Sequence, residues 1–289
     1  MTGSNTLPPS PLGVIEVRGD DAGTFLRAQL TNDVARLGPD RNFLSAWCDA
    51  KGRALMVTRV LVDNDGYLLL LPVDLVDSVL KRLRMFVLRA RVTLEDATPR
   101  FDIYGMVTDD APTANRTEAR DDHLLLGLPT PSDDRPRALV LAPAGKKRPA
   151  GALAVDDHAW ALMDIDAGLP ELHAATQGLF VPQMLNLHWL LAIDFDKGCY
   201  PGQEVIARLH YRGTLTRRLY RMAWSGQMPV AGADVLDGAG ERQGTVLQSA
   251  GTGDSGRLLA VLKTSAATQP LVCGQTPLER LDLPYATPD

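Results

Sequence analysis

From residue 12 onward apolar side chains alternate with others at Leu12, Val14 and Val17, and this period of two predicts a strand over 12–18. Asp20 and Asp21 then lead into a stretch carrying Phe25, Leu26 and Leu30 at helical spacing, stopped by Asn32-Asp33. Strands are expected at 43–48 and 54–63, joined by a tight turn at 49–53. Asn64-Asp-Gly66 tolerates positive φ and turns the chain into a further β-run at 67–72, so the three form a meander. The period then changes. Leu75, Val76, Val79, Leu80, Leu83, Phe86 and Val87 recur as one face of a helix, with Asp74 placed to cap it and Lys81, Arg82 and Arg84 on the polar side. Another β-run follows at 91–95.

Residues 109–150 are rich in Pro, Ala, Asp and Arg, with short strands expected only at 124–128 and 138–142. A helix is predicted over 157–165, ended by Ala167-Gly168 and Pro170. Beyond Gly213 short β-runs return at 215–224, 234–236, 244–249, 258–263 and 278–283 between Gly-rich turns. Such spacing predicts a small closed or sandwich-like β-domain of about 75 residues. The class is α+β, with antiparallel sheets and flanking helices.

A length of 289 residues suits two units, taken as 1–213 and 214–289, the first holding two subdomains that divide near 100–150. The longest apolar runs, such as 68–73, are too short to cross a bilayer, and 1–11 has no apolar signal core, so a cytoplasmic protein is expected. Cysteines at 48, 199 and 273 form no close pair, which leaves no CxxC motif and no zinc cluster, and free thiols fit a reducing compartment. A net charge of -5 argues against a wholly nucleic-acid-binding surface. Arg208, His210, Arg212, Arg217, Arg218 and Arg221 nevertheless crowd one stretch, either an anion-attracting patch or the solvated face of a strand.

The densest chemistry lies in Lys197-Gly-Cys-Tyr-Pro-Gly-Gln-Glu204, between an apolar stretch at 190–195 and a helical one carrying Val205, Ile206 and Leu209. Read as a loop entering a helix, with Pro201 in the first turn, it would set the Cys199 thiol near unpaired backbone N–H groups and two residues from Lys197, which favours thiolate. Glu204 opposes that. The other reading of Cys199 is a small buried hydrophobe.

The run Lys197 to Glu204, continued by Ala207-Arg208 and Tyr211-Arg212-Gly213, resembles the K-G-C-Y-x-G-Q-E and R…R-G signature of YgfZ-type folate-binding proteins, relatives of the glycine-cleavage T-protein. Gln29 to Asp33, Cys48 to Gly52, Trp160 to Pro170 and Phe180 to Asn186 follow in the same order. The resemblance implies a T-protein-like folate-binding fold around a central channel, closed by a C-terminal β-barrel. It also implies tetrahydrofolate as ligand, and iron–sulfur proteins or cluster assembly factors as partners, with tRNA modification as an indirect beneficiary. Direct nucleic-acid binding and membrane attachment are not expected. Cys199 and Lys197 become the candidate reactive pair. Trp160 offers a flat face to a pterin, although at helical spacing it equally suits a core. Leu12 stands where relatives carry a second tryptophan. Asp166 matches a carboxylate that holds the pterin edge in the T-protein, against the alternative of a solvated helix-end acid. Gln183, Asn186, Tyr200, Gln203 and Glu204 are further candidates for the folate site, and Arg208, Arg212 and Arg217 suit its glutamate tail. Leu55 and Met56 occupy the strand position of the T-protein's acid, which speaks against the competing function, aminomethyl transfer.

Overall fold

The computed structural model describes residues 12–131, 134–146 and 157–288, with the start at 1–11 outside them. Three β-structures organise the chain. The first is a five-stranded antiparallel sheet of β1 (Leu12–Arg18), β2 (Asn42–Cys48), β3 (Ala54–Asp63), β4 (Gly66–Pro72) and β5 (Thr93–Asp96), in the order β2-β3-β4-β1-β5. The β3–β4 hairpin forms where two apolar runs meet turn chemistry: Asn64 takes φ 47, and the ladder closes at Asp63 opposite Gly66.

Helix α1 (Ala22–Arg27) is shorter than the apolar spacing suggests, and Leu30 falls beyond it in an isolated bridge to Trp47. Helix α2 (Val73–Arg84) buries Leu75, Val76, Val79, Leu80 and Leu83, whereas Phe86 and Val87 lie past its end. Asp74 is not its cap. Pro72 holds that position, and the Asp74 carboxylate instead accepts from Ala174 N at 2.9 Å.

The second sheet, in the order β6-β9-β8-β7, comprises β6 (Phe101–Val107), β7 (Thr117–Arg120), β8 (His123–Gly127) and β9 (Arg137–Pro143). Strands β6 and β7 were not expected from the sequence; every residue of β6 except Met106 is only partly buried, so its alternation is weak. One face of the first sheet packs on this second sheet. Val14, Leu61, Leu68 and Leu70 meet Leu126, Leu139 and Leu141 in a common core, where each fully buried Leu is worth roughly 1.5–3 kcal/mol. Helix α3 (Asp157–Asp166) sets Trp160 into that core, its ring against Gly105, where an added Cβ would lie 2.3 Å from the indole.

Helix α4 (Gln203–Arg212) precedes the third element, a closed six-stranded barrel: β10 (Arg217–Ser225), β11 (Asp234–Asp237), β12 (Arg242–Thr252), β13 (Ser255–Lys263), β14 (Leu271–Cys273) and β15 (Thr276–Leu281). Closure removes sheet edges. The barrel is joined to the rest by α3, which packs on β12 and β13. Among the described residues no helix is long and apolar enough to cross a membrane.

Candidate functional site

The signature segment is a loop clamped on both sides of its cysteine. Lys197 is 5 % exposed and points its ammonium at the carbonyl end of α1, donating to Arg27 O at 2.5 Å and to Leu30 O. Its Nζ lies 4.8 Å from the centre of the Tyr200 ring. Burial draws the Lys197 pKa down to about 8. Tyr200 is buried too, and desolvation, then the neighbouring Cys48, pushes its phenol up. Between these anchors Cys199 is exposed, and an added Cβ on Gly198 would meet nothing within 4 Å. The alternative of a packed, hydrocarbon-sealed Cys199 is therefore excluded.

Gly202 caps α4 with φ 79, while Pro201 precedes the helix instead of opening its first turn. The close approach of two backbones explains the glycine: a Cβ on Gly202 would sit 2.5 Å from Gly52 Cα and 2.6 Å from Asp49 O. The β2–β3 turn, itself held by Asp49 Oδ1 accepting from Lys51 N and Arg53 N, is thus the floor beneath the cysteine loop. First-turn N–H groups of α4 are partly engaged, Gln203 N donating to Tyr200 O and Val205 N to Gly202 O. The loop's rigidity comes from these contacts.

A separate concavity, enclosing ≈ 540 Å³ of empty space that includes open solvent, lies between the two sheets and α3. Trp160, Leu12, Leu44, Val57, Leu128 and Leu139 supply apolar wall. Arg59, Asp164 and Glu171 supply charge. Arg137, 2 % exposed, stacks its guanidinium 5.1 Å from the Trp160 ring centre and pairs with Asp164 at 2.7 Å. Arg59 is buried behind the wall, bonded to Asn42 Oδ1 at 2.5 Å and Asn115 Oδ1 at 3.2 Å, and burial lowers its pKa to about 10. Glu171 reaches His173 Nε2 at 3.3 Å, and His173 Nδ1 lies 3.3 Å from Asp74. The Glu171 contact, ahead of Asp74, raises the His173 pKa. Apolar wall with carboxylates at hand is chemically suited to a pterin-like ring, whose aminopyrimidine edge presents paired donors.

Of the residues singled out in the sequence as folate contacts, Trp160 lines this cavity. Asp166 does not: it faces the barrel, paired with Arg257 Nε at 3.1 Å and Arg221 Nη1 at 3.3 Å, while desolvation raises its pKa. Gln183 donates to Ile206 O at 2.7 Å, and Asn186, at φ 58, donates to Leu219 O at 3.1 Å. Both amides join the loop region to α4 and β10. Gln203 and Glu204 occupy the first turn of α4, Arg208 and Arg212 are exposed further along it, and none of them, nor Tyr200, Lys197 or Cys199, borders the concavity. Leu55 and Met56 are buried in the main core. Sequence reasoning passed over Arg59, Arg137, Asp164 and Glu171. Asp164 was findable, being four residues after Trp160 and so on the same helix face.

No protein-family model matches the chain. It is similar to tRNA-modifying protein YgfZ of Sodalis glossinidius (strain morsitans), 32% identical over 281 residues that cover 90% of this chain and 85% of the relative. The protein of that name from Yersinia pestis (strain Pestoides F) is 30% identical over 260 residues, covering 82% and 77%. That from Colwellia psychrerythraea is 31% identical over 241 residues, covering 79% and 74%. Among solved structures, the crystal structure of glycine cleavage system aminomethyltransferase T from Bartonella henselae superposes with a TM-score of 0.71, covering 96% of this chain and 84% of that one. At 14% identity this likeness concerns the fold.

Proposed function

Because the chain belongs to the family of the tRNA-modifying protein YgfZ, we propose that it is a cytoplasmic tetrahydrofolate-binding protein that supports iron–sulfur cluster assembly or repair and, through cluster-dependent enzymes, tRNA modification. The observation that carries the reading is the exposed Cys199, seated between the buried Lys197 and Tyr200. A sulfur so placed is open to a second macromolecule. One thiolate supplies one iron ligand, so an iron–sulfur protein or assembly factor must bring the others. Folate is assigned to the concavity, where Trp160 would lend apolar wall to the pterin and Glu171 would accept from its ring N–H groups.

Two measurements test this. Tetrahydrofolate titration should quench tryptophan fluorescence, and absence of any response would remove the folate assignment. Cys199→Ser should leave that titration unchanged yet fail to restore cluster-enzyme activity in a strain lacking the protein. Full restoration by the serine variant would remove the thiol from the mechanism.

Aminomethyl transfer is the second reading, favoured by the fold and by the two carboxylates at the concavity. Against it, Asp164 is committed to Arg137, and Leu55 and Met56 offer no proton. Formation of methylenetetrahydrofolate from tetrahydrofolate and an aminomethyl donor at an enzymatic rate would establish it.

A further inference from the structure

The basic stretch at 208–221 is built differently from a merely solvated face, because aromatic rings are interleaved with it. Phe195 and His210 stack face to face, with centroids 3.7 Å apart and planes 12° from parallel. Tyr211, 64% exposed, stands edge-on to both, 4.7 Å from His210 and 6.4 Å from Phe195. Next to this group His188 and Trp189 lie with ring centres 4.4 Å apart, and the Arg218 guanidinium covers the Trp189 ring at 5.5 Å. The two groups are neighbours: burial, then the charges of His210 and Arg218, holds His188 down to about 4, so its ring is neutral at physiological pH.

The arginines around these rings are not uniformly employed in ion pairs. Arg221 is, through Asp166. Arg208, Arg212 and Arg217 have no carboxylate partner among the described residues. Arg208, Tyr211 and Arg212 stand at i, i+3 and i+4 on α4 and so share one face, beside the Phe195–His210 stack. Unpaired guanidinium groups interspersed with an exposed phenol and stacked rings make a surface suited to a flexible polyanion that carries planar rings of its own. Phosphates take the arginines, and unpaired bases stack on the aromatics. An acidic protein surface would match the charge and leave the rings without a role.

We infer that the face formed by Phe195, Arg208, His210, Tyr211 and Arg212 binds unpaired nucleotides of RNA directly. This goes beyond the function proposed above, in which RNA benefits only through other enzymes, and it requires neither folate nor Cys199. Within a chain of net charge -5 the attraction is local to this face.

The test is fluorescence-polarisation titration of the full chain with a labelled tRNA transcript at several salt concentrations, competed with single-stranded RNA, duplex DNA, heparin and polyglutamate. Binding should weaken with salt, and single-stranded RNA should compete better than duplex DNA or heparin. Tyr211→Ala, at an exposed position, should weaken binding roughly 5- to 100-fold through loss of base stacking. Arg212→Gln should lower the slope of log K against log salt by about 0.7, one single-strand phosphate contact. Circular dichroism confirms that both variants are folded. No binding at low salt would overturn the inference. So would a Tyr211→Ala variant with unaltered affinity, or competition by heparin or polyglutamate equal to that by single-stranded RNA.

Discussion

Replacing Lys197 by methionine separates two roles for the residue most tightly tied to the thiol. The stem is kept and the ammonium removed, which leaves Arg27 O and Leu30 O at the end of α1 without their buried donor. Each orphaned carbonyl costs about 1–3 kcal/mol, and relief from burying a charge returns part of this, so a net loss of roughly 2 kcal/mol is expected. Urea unfolding followed by tryptophan fluorescence reads that loss as a lower midpoint at unchanged slope. Alkylation provides the second reading, because Cys199 is exposed whereas Cys48 is buried with its thiol pKa pushed up by desolvation. A positioning lysine, once lost, should loosen the loop and change how Cys199 reacts with large as against small reagents. If stability holds within about 0.5 kcal/mol, the usual size of a surface substitution's effect, and the ratio of large- to small-reagent rates is unchanged, the anchoring argument is wrong.

Gly202→Ala should destabilise the fold by about 2 kcal/mol or more, combining positive-φ strain with a backbone clash against Gly52; an unchanged denaturation midpoint would contradict the seat described for the loop. Trp160→Phe should abolish most of the tetrahydrofolate-dependent change in fluorescence, since Trp160 is the tryptophan lining the concavity; an undiminished change would put the ligand elsewhere. Asp166→Asn should leave folate affinity intact, because Asp166 pairs with Arg221 and Arg257 and does not border the concavity; a clear loss of affinity would restore Asp166 as a pterin ligand. His173 has a raised folded-state pKa, so its contribution is complete below its ordinary value near 6.5 and is lost as pH climbs through the raised one. The thermal-midpoint gap between wild type and His173→Gln should accordingly shrink as pH rises, and a gap that widens would reverse the sign.

Local chemistry made the meander and most of the barrel readable. Strands β1 to β4, β12 and β13 carry apolar runs that are buried on both faces, and they are punctuated by residues such as Asn64 and Gly253 that accept positive φ. Three-residue β14 is too short to show a period. Strand β6 hid because Gly105 yields its side-chain space to Trp160, a partner more than fifty residues away in the chain. The thiol was legible because Lys197, Cys199 and Tyr200 fall in one continuous motif, whereas the floor beneath it, from Arg27, Leu30, Asp49 and Gly52, was not. The charged part of the concavity was not legible either: Arg59 and its partners Asn42 and Asn115 come from two strands and a turn, and Arg137 and Asp164 from a strand and a helix. A buried arginine looks like a surface arginine until its partners are located. Asp166 illustrates the converse, a residue singled out by its motif whose carboxylate pairs with barrel arginines and does not border the cavity.

The contacts beneath Cys199 are all made by residues that leave the ribosome far ahead of it: Arg27 and Leu30 through their carbonyls, Asp49 and Gly52 through their backbone. During synthesis the residues of this cradle therefore emerge before the loop that rests on them, and the sulfur acquires its outward pose only once the two meet. A chain cut short before the loop, or one in which the early half fails to fold, therefore has no seat for this sulfur, and the outward pose of Cys199 depends on contacts more than 140 residues away in sequence.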